Sequence, residues 1–563
     1  MNQVIECVPN YSEGRNKAVI DAIVGAIKSV EGVKVLDVDP GEATNRTVVT
    51  FVGAPEPVLE AAFQGAKKAQ ELIDMRQHHG AHPRSGATDV LPLIPVAGIS
   101  LEECAALARG LAERLWKELG IPCYCYEAAA FTPERKNLAV CREGEYEALP
   151  EKLSTPGKQP DFGGEYNEIV AKAGATNVGA RNFLVAVNFN LNTTSTRRAM
   201  AVAFDVREKG RKAREGGSLT GKLLKDKDGN QIWIPGTLKG CKAIGWYIDE
   251  YGIAQVSMNI TDIDATPLHV AFEEVSRAAA ARGLRVTGAE IVGLVPKRVL
   301  MDAGRFYLEK QQRSLGISEE EIIKIAVKSM SLDDLKPFNP KEKVIEYLMD
   351  DGKKGLVQMT VEGFTRETAS ESAAPGGGSV SACMGAFAAA LATMVANLSS
   401  HKRGWDDRWK EFSDVAEKGQ ALVDRLLDLI DEDTEAFNRI MDVFSMPKGT
   451  DEEKAARAKA LEEATLHAAQ VPLETMETTL KALPLALEMA QKGNPASASD
   501  AGVAALAAVA GIKGARLNVR INCAGLTDKT PAQPLLARAD EIMNEASLMA
   551  DKVLAEVESH ILA

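Results

Sequence analysis

The feature that most constrains the fold is a change of character near residue 341. From there to residue 563, alanine, leucine, glutamate and methionine dominate, and runs of alternating β-branched residues almost disappear. Before it, apolar strands alternate with amphipathic helical stretches. A chain of 563 residues also exceeds what one hydrophobic core supports. We therefore predict a multidomain protein with an N-terminal α/β region followed by an all-α helical bundle.

The N-terminal region repeats one order of elements twice. The first copy contains a strand VIECVPN, a helix from 14 to 30, strands VKVLDVD and RTVVTFVG, a helix from 57 to 75 and a strand DVLPLIPV. The second contains a strand from 183 to 191, helices from 194 to 210 and from 267 to 281, and strands KAIGWYIDE, IAQVSMNI and LRVTGAEIV. This βαββαβ order predicts two split-βαβ subdomains that form a cleft between them.

These patterns also predict the domain boundaries. Residues 1 to 180 and 181 to 326 form the two α/β subdomains, 327 to 340 form a linker with two prolines, and 341 to 563 form the helical domain. The segment from 214 to 236 reads as a long polar excursion between a helix and a strand.

Composition narrows the class of partner. A net charge of -13 and a pI near 5.3 argue against a nucleic-acid or anionic-membrane partner, because such partners select a basic surface. The longest apolar run, GAFAAALATMVANL, is too short to cross a bilayer, and MNQVIECVPN lacks the features of a secretory signal. Eight cysteines without a CxxC pair indicate neither a zinc ribbon nor a disulfide framework. We expect a cytoplasmic protein.

Three of the seven histidines lie within five positions of the stretch QHHGAHPRSGATDVLPLIPV. His78 and His82 have the spacing of a zinc-binding helix, but a glycine and the His82-Pro83 bond disfavour a helix there. Three interpretations are open: a metal site completed by Asp89, a packed or solvated cluster, and an acid/base role for His82. The last is favoured, because Pro83 holds His82 extended in one orientation and its pKa suits proton transfer near neutrality.

Charged residues near the strand ends supply further candidates. In VLDVDPGEATNR, Asp37 and Asp39 follow a strand and Arg46 begins the next one. Asp39 begins the turn and is therefore the better polar candidate, although an Asx-turn explains it equally well. Arg84, two residues after His82, is a bidentate partner for a substrate carboxylate or an ordinary surface arginine.

Two glycine-containing helix starts are binding candidates in the helical region. The first, SAAPGGGSVSA, carries Gly376, Gly377, Gly378 and Ser379. Free N–H groups at such a start can hold an anion, while the alternative is an ordinary helix start capped by Ser379. The second, GNPASASDAGVAAL, offers Asn494 and Asp500 as capping or ligand groups.

An acid interrupts an apolar helix stripe between residues 423 and 444. At about 100° per residue, the stripe contains Val423, Leu426, Ile430, Thr434, Phe437, Ile440, Met441 and Phe444. Asp433 projects into it. A buried carboxylate must be paired or protonated, and burial raises its pKa toward values useful in proton transfer. Asp433 is therefore a catalytic candidate, and the alternative is a structural acid that bonds a helix end.

Several long motifs, in a fixed order, point to one enzyme family. The N-terminal half contains ECVPNYSEGRN, LDVDPGEATNRTVVTFVG, AHPRSGATDVLPLIPV, PDFGG and AIGWYIDEYGIAQVSMNITD. The last third contains KPFNPKEKVIEYL, SAAPGGGSVSA, DEDTEAFNRIM and GNPASASDAGVAAL. With these motifs the chain resembles the bifunctional formimidoyltransferase-cyclodeaminases of histidine degradation over nearly its whole length.

The resemblance implies two consecutive reactions. The formimino group of N-formimino-L-glutamate passes to tetrahydrofolate, and 5-formiminotetrahydrofolate is then cyclised to 5,10-methenyltetrahydrofolate with loss of ammonia. It implies no metal and no tightly bound cofactor, polyglutamylated tetrahydrofolate as co-substrate, and a homo-oligomer, an octamer of dimers, that hands the intermediate from one site to the next. Two alternatives stay open: a C-terminal methenyltetrahydrofolate cyclohydrolase and a folate-binding scaffold.

The same resemblance implies roles for individual residues. His82 of the HPR motif is the base or proton donor of the transferase, and Asp433 of the D-x-x-A-F motif is the catalytic residue of the cyclodeaminase. The stretch that begins at FGG contacts folate, with candidate contacts at Gly163, Gly164, Glu165 and Lys172. In detail FGGEYNEIVAKAG departs from the family's folate loop, and the excursion from 214 to 236 is longer than the family pattern.

Overall fold

The computed structural model describes residues 3–42, 44–80, 83–217, 221–349 and 355–562. The chain divides into two compact units. The first comprises Met1–Ala303 and Met330–Asp351, and the second comprises Gly304–Ser329 and Gly352–Ala563. Strands alternate with helices in the first unit, whereas the described part of the second contains helices only. The predicted fold class, α/β followed by all-α, is confirmed.

The first subdomain is built on a seven-stranded sheet. Its strands are β1 (Val4–Cys7), β2 (Asn10–Tyr11), β3 (Val33–Gly41), β4 (Arg46–Gly53), β5 (Thr88–Ala97), β6 (Cys123–Glu127) and β7 (Thr176–Ala180). Its helices are α1 (Lys17–Lys28), α2 (Pro55–Leu72), α3 (Leu101–Leu119), α4 (Leu138–Cys141), α5 (Leu149–Lys152) and α6 (Glu168–Ala173). β1 and β2 share one position, so the order across the sheet is β3, β4, β1/β2, β5, β7, β6. The predicted βαββαβ unit is present, and β6 and β7 extend it with parallel pairs.

The second subdomain repeats the same topology. Its strands are β8 (Val185–Leu191), β9 (Arg211–Lys212), β10 (Trp233–Ile234), β11 (Cys241–Ile248), β12 (Ile253–Ile260) and β13 (Val286–Val292), and its helices are α7 (Thr196–Val206) and α8 (Leu268–Ala280). The antiparallel order β11, β12, β8, β13 matches β3, β4, β1/β2, β5 of the first sheet. The internal repeat is therefore one of topology, as predicted. β9 and β10 form a two-stranded ribbon within the polar excursion.

Four helices follow the second sheet: α9 (Lys297–Lys310), α10 (Glu319–Ser329), α11 (Pro340–Lys343) and α12 (Ile345–Met349). The segment predicted as a linker, 327 to 340, packs into the α/β unit from Met330 onward. Met330 and Leu332 are buried, and Asn190 donates a hydrogen bond of 3.2 Å to Asp334. The prolines and charges of this segment indicated a linker. The average composition did not show that Met330 and Leu332 would be buried in the α/β unit.

The helical unit surrounds one central helix. Its members are α13 (Val361–Thr368), α14 (Gly377–Ser400), α15 (Trp409–Phe444), α16 (Asp451–Leu480), α17 (Ala482–Lys492), α18 (Ala498–Gly525) and α19 (Ala532–Leu562). α14 contacts α15, α16, α17 and α18. Small residues allow this close approach: Ala382 and Ala389 are fully buried, and Thr479 lies against Gly385 where a side chain would otherwise stand.

Two of these helices are unusually apolar. α14, and α18 with the turn before it, are long and apolar enough to span a membrane by length and composition alone. The apolar run noted in the sequence is therefore part of a longer helix of 24 residues. In the structure both helices pack against neighbours, and at least half of each apolar window is buried inside the unit, as in the core helix of a bundle.

Candidate functional sites

A cleft of about 490 Å³ lies between the two α/β sheets, as predicted. Because side chains alternate along a strand, Ile5 and Cys7 of β1 join the helix-side core while Glu6 faces the cleft. Thr50 on β4 and Asn259 on β12 face it from the two opposed sheets. Polar and apolar residues line the cleft in similar numbers, and five of the polar ones are charged, so the cleft suits a polar, charged ligand.

Asp39 and Arg46 both line this cleft, so the structure brings these two candidates together. β3 continues through Gly41, and Asp39 thus lies within the strand and does not begin the turn as predicted. A register shift between Val35 and Asp37 belongs to the same strand, and Asp37 also lines the cleft. Burial and the neighbouring Asp39 raise the pKa of Asp37.

Arg46 is held by a fully buried carboxylate. Asp89 on β5 forms ion pairs with both Arg46 and Arg142, and it accepts the backbone N–H of Ser85 at 2.9 Å. The Nε of Arg46 also donates to Asn10 Oδ1 at 3.0 Å. Two guanidinium groups on one carboxylate leave a positive charge at this end of the cleft, which suits a substrate carboxylate. The sequence did not identify Arg142 as a site residue, because 53 residues separate it from Asp89 and no local motif connects them.

The histidine loop contains the chain's most important catalytic candidate, and His82 lies outside the described residues. His78 is described: its Nε2 is 2.8 Å from the carbonyl oxygen of Asn45, and its Nδ1 accepts from Arg84 Nε at 3.3 Å. Burial lowers the pKa of His78, which favours the neutral ring. Both ring nitrogens are thus occupied by protein groups, so His78 is a packing residue here and cannot serve as a zinc ligand.

Arg84 has its carboxylate partners within the chain. Its guanidinium pairs with Glu147 at 2.6 Å and with Glu145 at 3.1 Å, and only 9% of the side chain is exposed. These residues line a surface depression together with His79, separate from the residues that line the cleft. The neighbouring loop still reaches the cleft, since the carbonyl oxygen of Pro83 lies 3.5 Å from Nη1 of Arg46.

The predicted folate stretch lies elsewhere on the first subdomain. Gly163 has φ 137° and packs against Pro122, where a side chain has no room. Lys172 on α6 donates to the carbonyl oxygen of Glu71 at 2.9 Å. None of the predicted contacts is among the residues that line the described cleft: Gly163, Gly164, Glu165 and Lys172.

The helical unit contains a second, smaller pocket of about 130 Å³ at the start of α14. It is lined by Ala373, Ala374, Gly376, Gly377, Gly378, Asp433, Thr434, Phe437, Ile440, Ala468, Asn518 and Asn522. The structure therefore brings the glycine run and Asp433 together, although 54 residues separate Ser379 from that acid.

Asp433 bonds the start of α14 and faces the pocket. Its Oδ2 accepts the hydroxyl of Ser379 at 3.0 Å, and the backbone N–H of Ser379 bonds the same carboxyl. One interpretation of the sequence had Ser379 as the N-cap of α14, and this was wrong. The N-cap is Gly376. Burial raises the pKa of Asp433, while the hydrogen bonds from Ser379 lower it. The net effect is a raised pKa for a carboxyl that bonds the positive end of a helix.

The apolar stripe that predicted this acid is buried only in part. Leu426 and Ile430 are buried, as expected, but Phe437, Met441 and Phe444 are exposed. α16 contacts this end of α15 through Arg457, which donates to the carbonyl oxygen of Val443 at 3.1 Å, but it leaves the three apolar side chains exposed. Periodicity therefore assigned the face correctly but overestimated its burial.

Two asparagines of the pocket escaped the sequence analysis. Asn518 and Asn522 lie one turn apart on α18, opposite the glycine run. Their amide nitrogens donate to the carbonyl oxygens of Gly514, at 3.0 Å, and of Ala468, at 2.6 Å. These bonds orient both amides. The polar pair at i, i+4 in RLNVRINCAG was the available signal.

Asn494 and Asp500 do not belong to this pocket within one chain. The backbone N–H of Asn494 donates to Ser399 Oγ at 2.8 Å, at the last turn of α14. At 1.5 Å per residue, that turn is about 30 Å from Ser379. Asp500 stands in the first turn of α18, near the same end.

Among the described residues, no group of three or more histidine, cysteine, aspartate or glutamate side chains is arranged to hold a metal ion. The polar groups described above are instead single carboxyls, guanidiniums and amides. They suit hydrogen bonding and proton transfer to organic substrates.

Comparison with known proteins covers almost the entire chain. Residues 4–181 match the formiminotransferase domain, N-terminal subdomain; residues 186–350 match the formiminotransferase domain; and residues 360–541 match formiminotransferase-cyclodeaminase. The formimidoyltransferase-cyclodeaminase of Mus musculus is 43% identical over 561 residues, which are 99% of each chain.

Two shorter relatives divide the chain between them. The glutamate formimidoyltransferase of Streptococcus pyogenes serotype M1 is 41% identical over 309 residues, 55% of this chain and 94% of its own. The methenyltetrahydrofolate cyclohydrolase of Methylorubrum extorquens is 39% identical over 202 residues, 36% of this chain and 97% of its own. With full-length relatives that combine both parts, the chain belongs to the formimidoyltransferase-cyclodeaminase family.

Proposed function

We propose that the protein is a bifunctional enzyme of folate one-carbon metabolism and histidine degradation. Its α/β unit transfers the formimino group from N-formimino-L-glutamate to N5 of tetrahydrofolate. Its helical unit then converts 5-formiminotetrahydrofolate to 5,10-methenyltetrahydrofolate and ammonia. Family membership over the whole chain supports both halves of this proposal.

For the transferase step, the cleft offers complementary charges to a substrate that carries two carboxylates and an amidine. Arg46 and Arg181 line it as cations, and Glu6, Asp37 and Asp39 line it as acids. Holding both substrates in this cleft makes the attack of N5 on the amidine carbon effectively unimolecular. We assign the proton of N5 to His82, on the grounds of its HPR motif and the approach of Pro83 to Arg46.

The cyclodeaminase half is carried by one observation: a half-buried carboxyl, Asp433, lines a pocket at the N-terminus of α14. N10 attacks the formimino carbon, the C–N bond to the former imino nitrogen breaks, and that nitrogen leaves as ammonia. The departing nitrogen must gain protons and N10 must lose one. Asp433 gives and takes these protons, since burial raises its pKa above that of an ordinary aspartate. Asn518 and Asn522 orient the pterin across the pocket.

The direct test supplies the purified protein with N-formimino-L-glutamate and tetrahydrofolate and follows three products. We expect glutamate, ammonia and the absorbance of methenyltetrahydrofolate to rise in equal amounts. Glutamate release without ammonia would remove the cyclodeaminase half, and absence of all three products would remove the proposal.

The cyclohydrolase named in Methylorubrum extorquens supports a second candidate for the helical unit. In that reaction water attacks the methenyl carbon, and the same carboxyl would serve as its base. The two candidates separate when 5-formiminotetrahydrofolate and 5,10-methenyltetrahydrofolate are supplied in turn. Ammonia from the first substrate identifies the deaminase, while hydrolysis of the second without ammonia from the first identifies the hydrolase.

We also propose a homo-oligomer, an octamer of dimers, located in the cytoplasm and passing the intermediate between its sites. One observation supports the oligomer. α14 exposes four apolar side chains at heptad spacing, which is the pattern of a helix that packs on another helix: Met384, Phe387, Met394 and Leu398. Light scattering of the wild type and of Phe387→Glu tests the assembly. Dilution of the intermediate by added unlabelled 5-formiminotetrahydrofolate tests the transfer, and cell fractionation tests the location.

We propose further that polyglutamylated tetrahydrofolate is the co-substrate and that no cofactor is tightly bound. Dialysis against a chelator and elemental analysis test the second statement. Activity unchanged by the chelator, with no stoichiometric metal, is the expected result.

A further inference from the structure

Glu6 is a buried acid on the cleft side of the first sheet. Only 4% of it is exposed. In the β ladder it lies opposite Val52 of β4 on one side and Ile94 of β5 on the other, so its strand is internal to the sheet. Ile5 and Cys7, its neighbours in sequence, pack in the helix-side core. The Glu6 side chain therefore has one direction open to it, which is into the cleft.

This carboxyl has no partner in the part of the chain that the structure describes. Within those residues no hydrogen bond or ion pair involves this carboxyl, and the charges of Arg181 and Glu346 act on it only through longer-range electrostatic interactions. Asp89, the other buried acid of this sheet, has two arginines and a backbone N–H. The carboxylate oxygens of Glu6 open onto the cleft and are not among the fully enclosed polar atoms that lack a partner. An acid that no described protein donor holds, at the wall of a cleft, is available to the donors of a ligand.

Charged groups of both signs face Glu6 from the surrounding elements. Arg181, which follows β7, lies next to β5, since its N–H bonds Leu93 at 3.1 Å. Glu346 acts from α12. Asp37, Asp39 and Arg46 also line the cleft. Lys34 lies on the same row of the sheet as Glu6, opposite Val52. Burial raises the pKa of Glu6 to about 7, with Arg181 lowering it and Glu346 raising it.

We propose that Glu6 binds a pair of adjacent N–H donors of amidine type in the cleft, accepting one on each carboxylate oxygen. A carboxylate recognises such a pair bidentately, and the charge-assisted bonds are strong where water is excluded. The inference rests on the proposed transferase function. Two substrates of that reaction carry this chemistry: the formimino group of the donor, and the 2-amino-4-oxopyrimidine edge of tetrahydrofolate.

The variant Glu6→Gln tests this role with little change in volume. Glutamine offers one acceptor, and its NH₂ group opposes an incoming N–H. Transferase rates are measured while each substrate is varied in turn, and folate binding is measured separately by calorimetry with tetrahydrofolate alone. Glu31→Gln, at an exposed position outside the cleft, is the matched control.

We expect the KM of one substrate to rise about 10- to 100-fold, the loss expected for a bond to a charged group, with kcat little changed. A rise for N-formimino-L-glutamate identifies the formimino group as the ligand. A rise for tetrahydrofolate, with weaker calorimetric binding, identifies the pyrimidine edge. Unchanged KM for both substrates overturns the inference, and so does a loss confined to kcat. An inactive wild type contradicts the proposed function instead, so the two failures are distinct.

The pH profile supplies a readout that a purely structural role does not move. Only the ionised carboxyl accepts two N–H donors, so in the wild type the KM of the recognised substrate rises as the pH drops through about 7. Glu6→Gln has no carboxyl to protonate, so its KM loses this rise, while the fall of kcat caused by protonation of His82 stays in both proteins. A Glu6→Gln protein whose KM keeps the same rise overturns the inference, because the rise then belongs to another group.

Discussion

The carboxyl of Asp433 occupies the space that a side chain at Gly378 would need. A Cβ at this glycine would lie 2.6 Å from Oδ2 and closer still to Oδ1. The third glycine of the PGGG run is therefore needed because the carboxyl of Asp433 leaves no room for a side chain. Backbone flexibility at the helix start does not account for it.

Gly378→Ala should consequently displace Asp433 and break its bond to Ser379. We expect cyclodeaminase activity to fall on the order of 10²-fold, as when a catalytic group is moved by about 1 Å, while transferase activity persists. The matched control is Gly377→Ala, whose Cβ meets Asn518 at an ordinary 3.5 Å. Equal activity in the two variants would show that the close approach has no catalytic consequence.

Asp433→Asn should separate proton transfer from packing. Asparagine keeps the volume and still accepts from Ser379, so we expect a folded protein with cyclodeaminase activity reduced about 10²- to 10⁴-fold. In the wild type the pKa of Asp433 is raised by burial, so its protonated form persists to higher pH and the step that needs a proton slows above that pKa. The rate of ammonia release between pH 5 and 9 measures both effects. A variant with wild-type rates would leave Asp433 with only its helix-capping role.

His82→Ala tests the residue that the HPR motif nominates. Loss of a positioned acid/base typically costs about 10²- to 10⁴-fold, and we expect that loss in formimino transfer alone. Conversion of supplied 5-formiminotetrahydrofolate should be unaffected, because Asp433 and its pocket belong to the helical unit. The two rates measured on one preparation provide the internal control. Retained transfer would assign the proton to another group.

Asp89→Asn should damage both stability and substrate binding. It removes the negative charge of the buried side chain that pairs with Arg46 and Arg142, so both guanidinium groups lose their counterion. Breaking a buried ion pair from one side costs about 3–5 kcal/mol, so we expect a large drop in unfolding free energy and a higher KM for N-formimino-L-glutamate. Asp21→Asn, which removes an exposed pair with Lys17, should cost no more than about 1 kcal/mol. Similar losses in the two variants would contradict the role of burial.

Local periodicity was enough to predict the repeated βαββαβ order and the face of α15 that carries Asp433. Both depend on spacings of two and 3.6 residues within one segment. The position of Asp433 beside Gly378 could not be predicted in this way, because its contacts to Ser379 join residues 54 apart. For the same reason Ser379 was a plausible N-cap from sequence, although in the structure its hydroxyl is engaged by the acid.

Arg84 illustrates the other limit of sequence reasoning. Its predicted bidentate contact to a carboxylate exists, but the carboxylate is Glu147, 63 residues away in the same chain. A motif can identify the chemistry of a side chain, whereas only the fold determines which partner is within reach. Glu6 is the converse case: its strand was predicted, yet nothing local indicated that its side chain would be buried without a donor.

That isolation has a consequence for stability as well as for binding. A rise in the pKa of Glu6 from 4.5 to about 7 means that the folded protein holds this proton more tightly than the unfolded chain. The contribution to stability is therefore complete below pH 4.5 and is lost as the pH rises through 7. Its upper limit is about 3 kcal/mol. Glu6→Gln carries no such charge, so it should be more stable than the wild type at pH 8 and equal to it at pH 4.5. Calorimetric unfolding of the two proteins across this range, without substrate, measures the difference. A difference that is independent of pH would place the unpaired charge elsewhere than on Glu6.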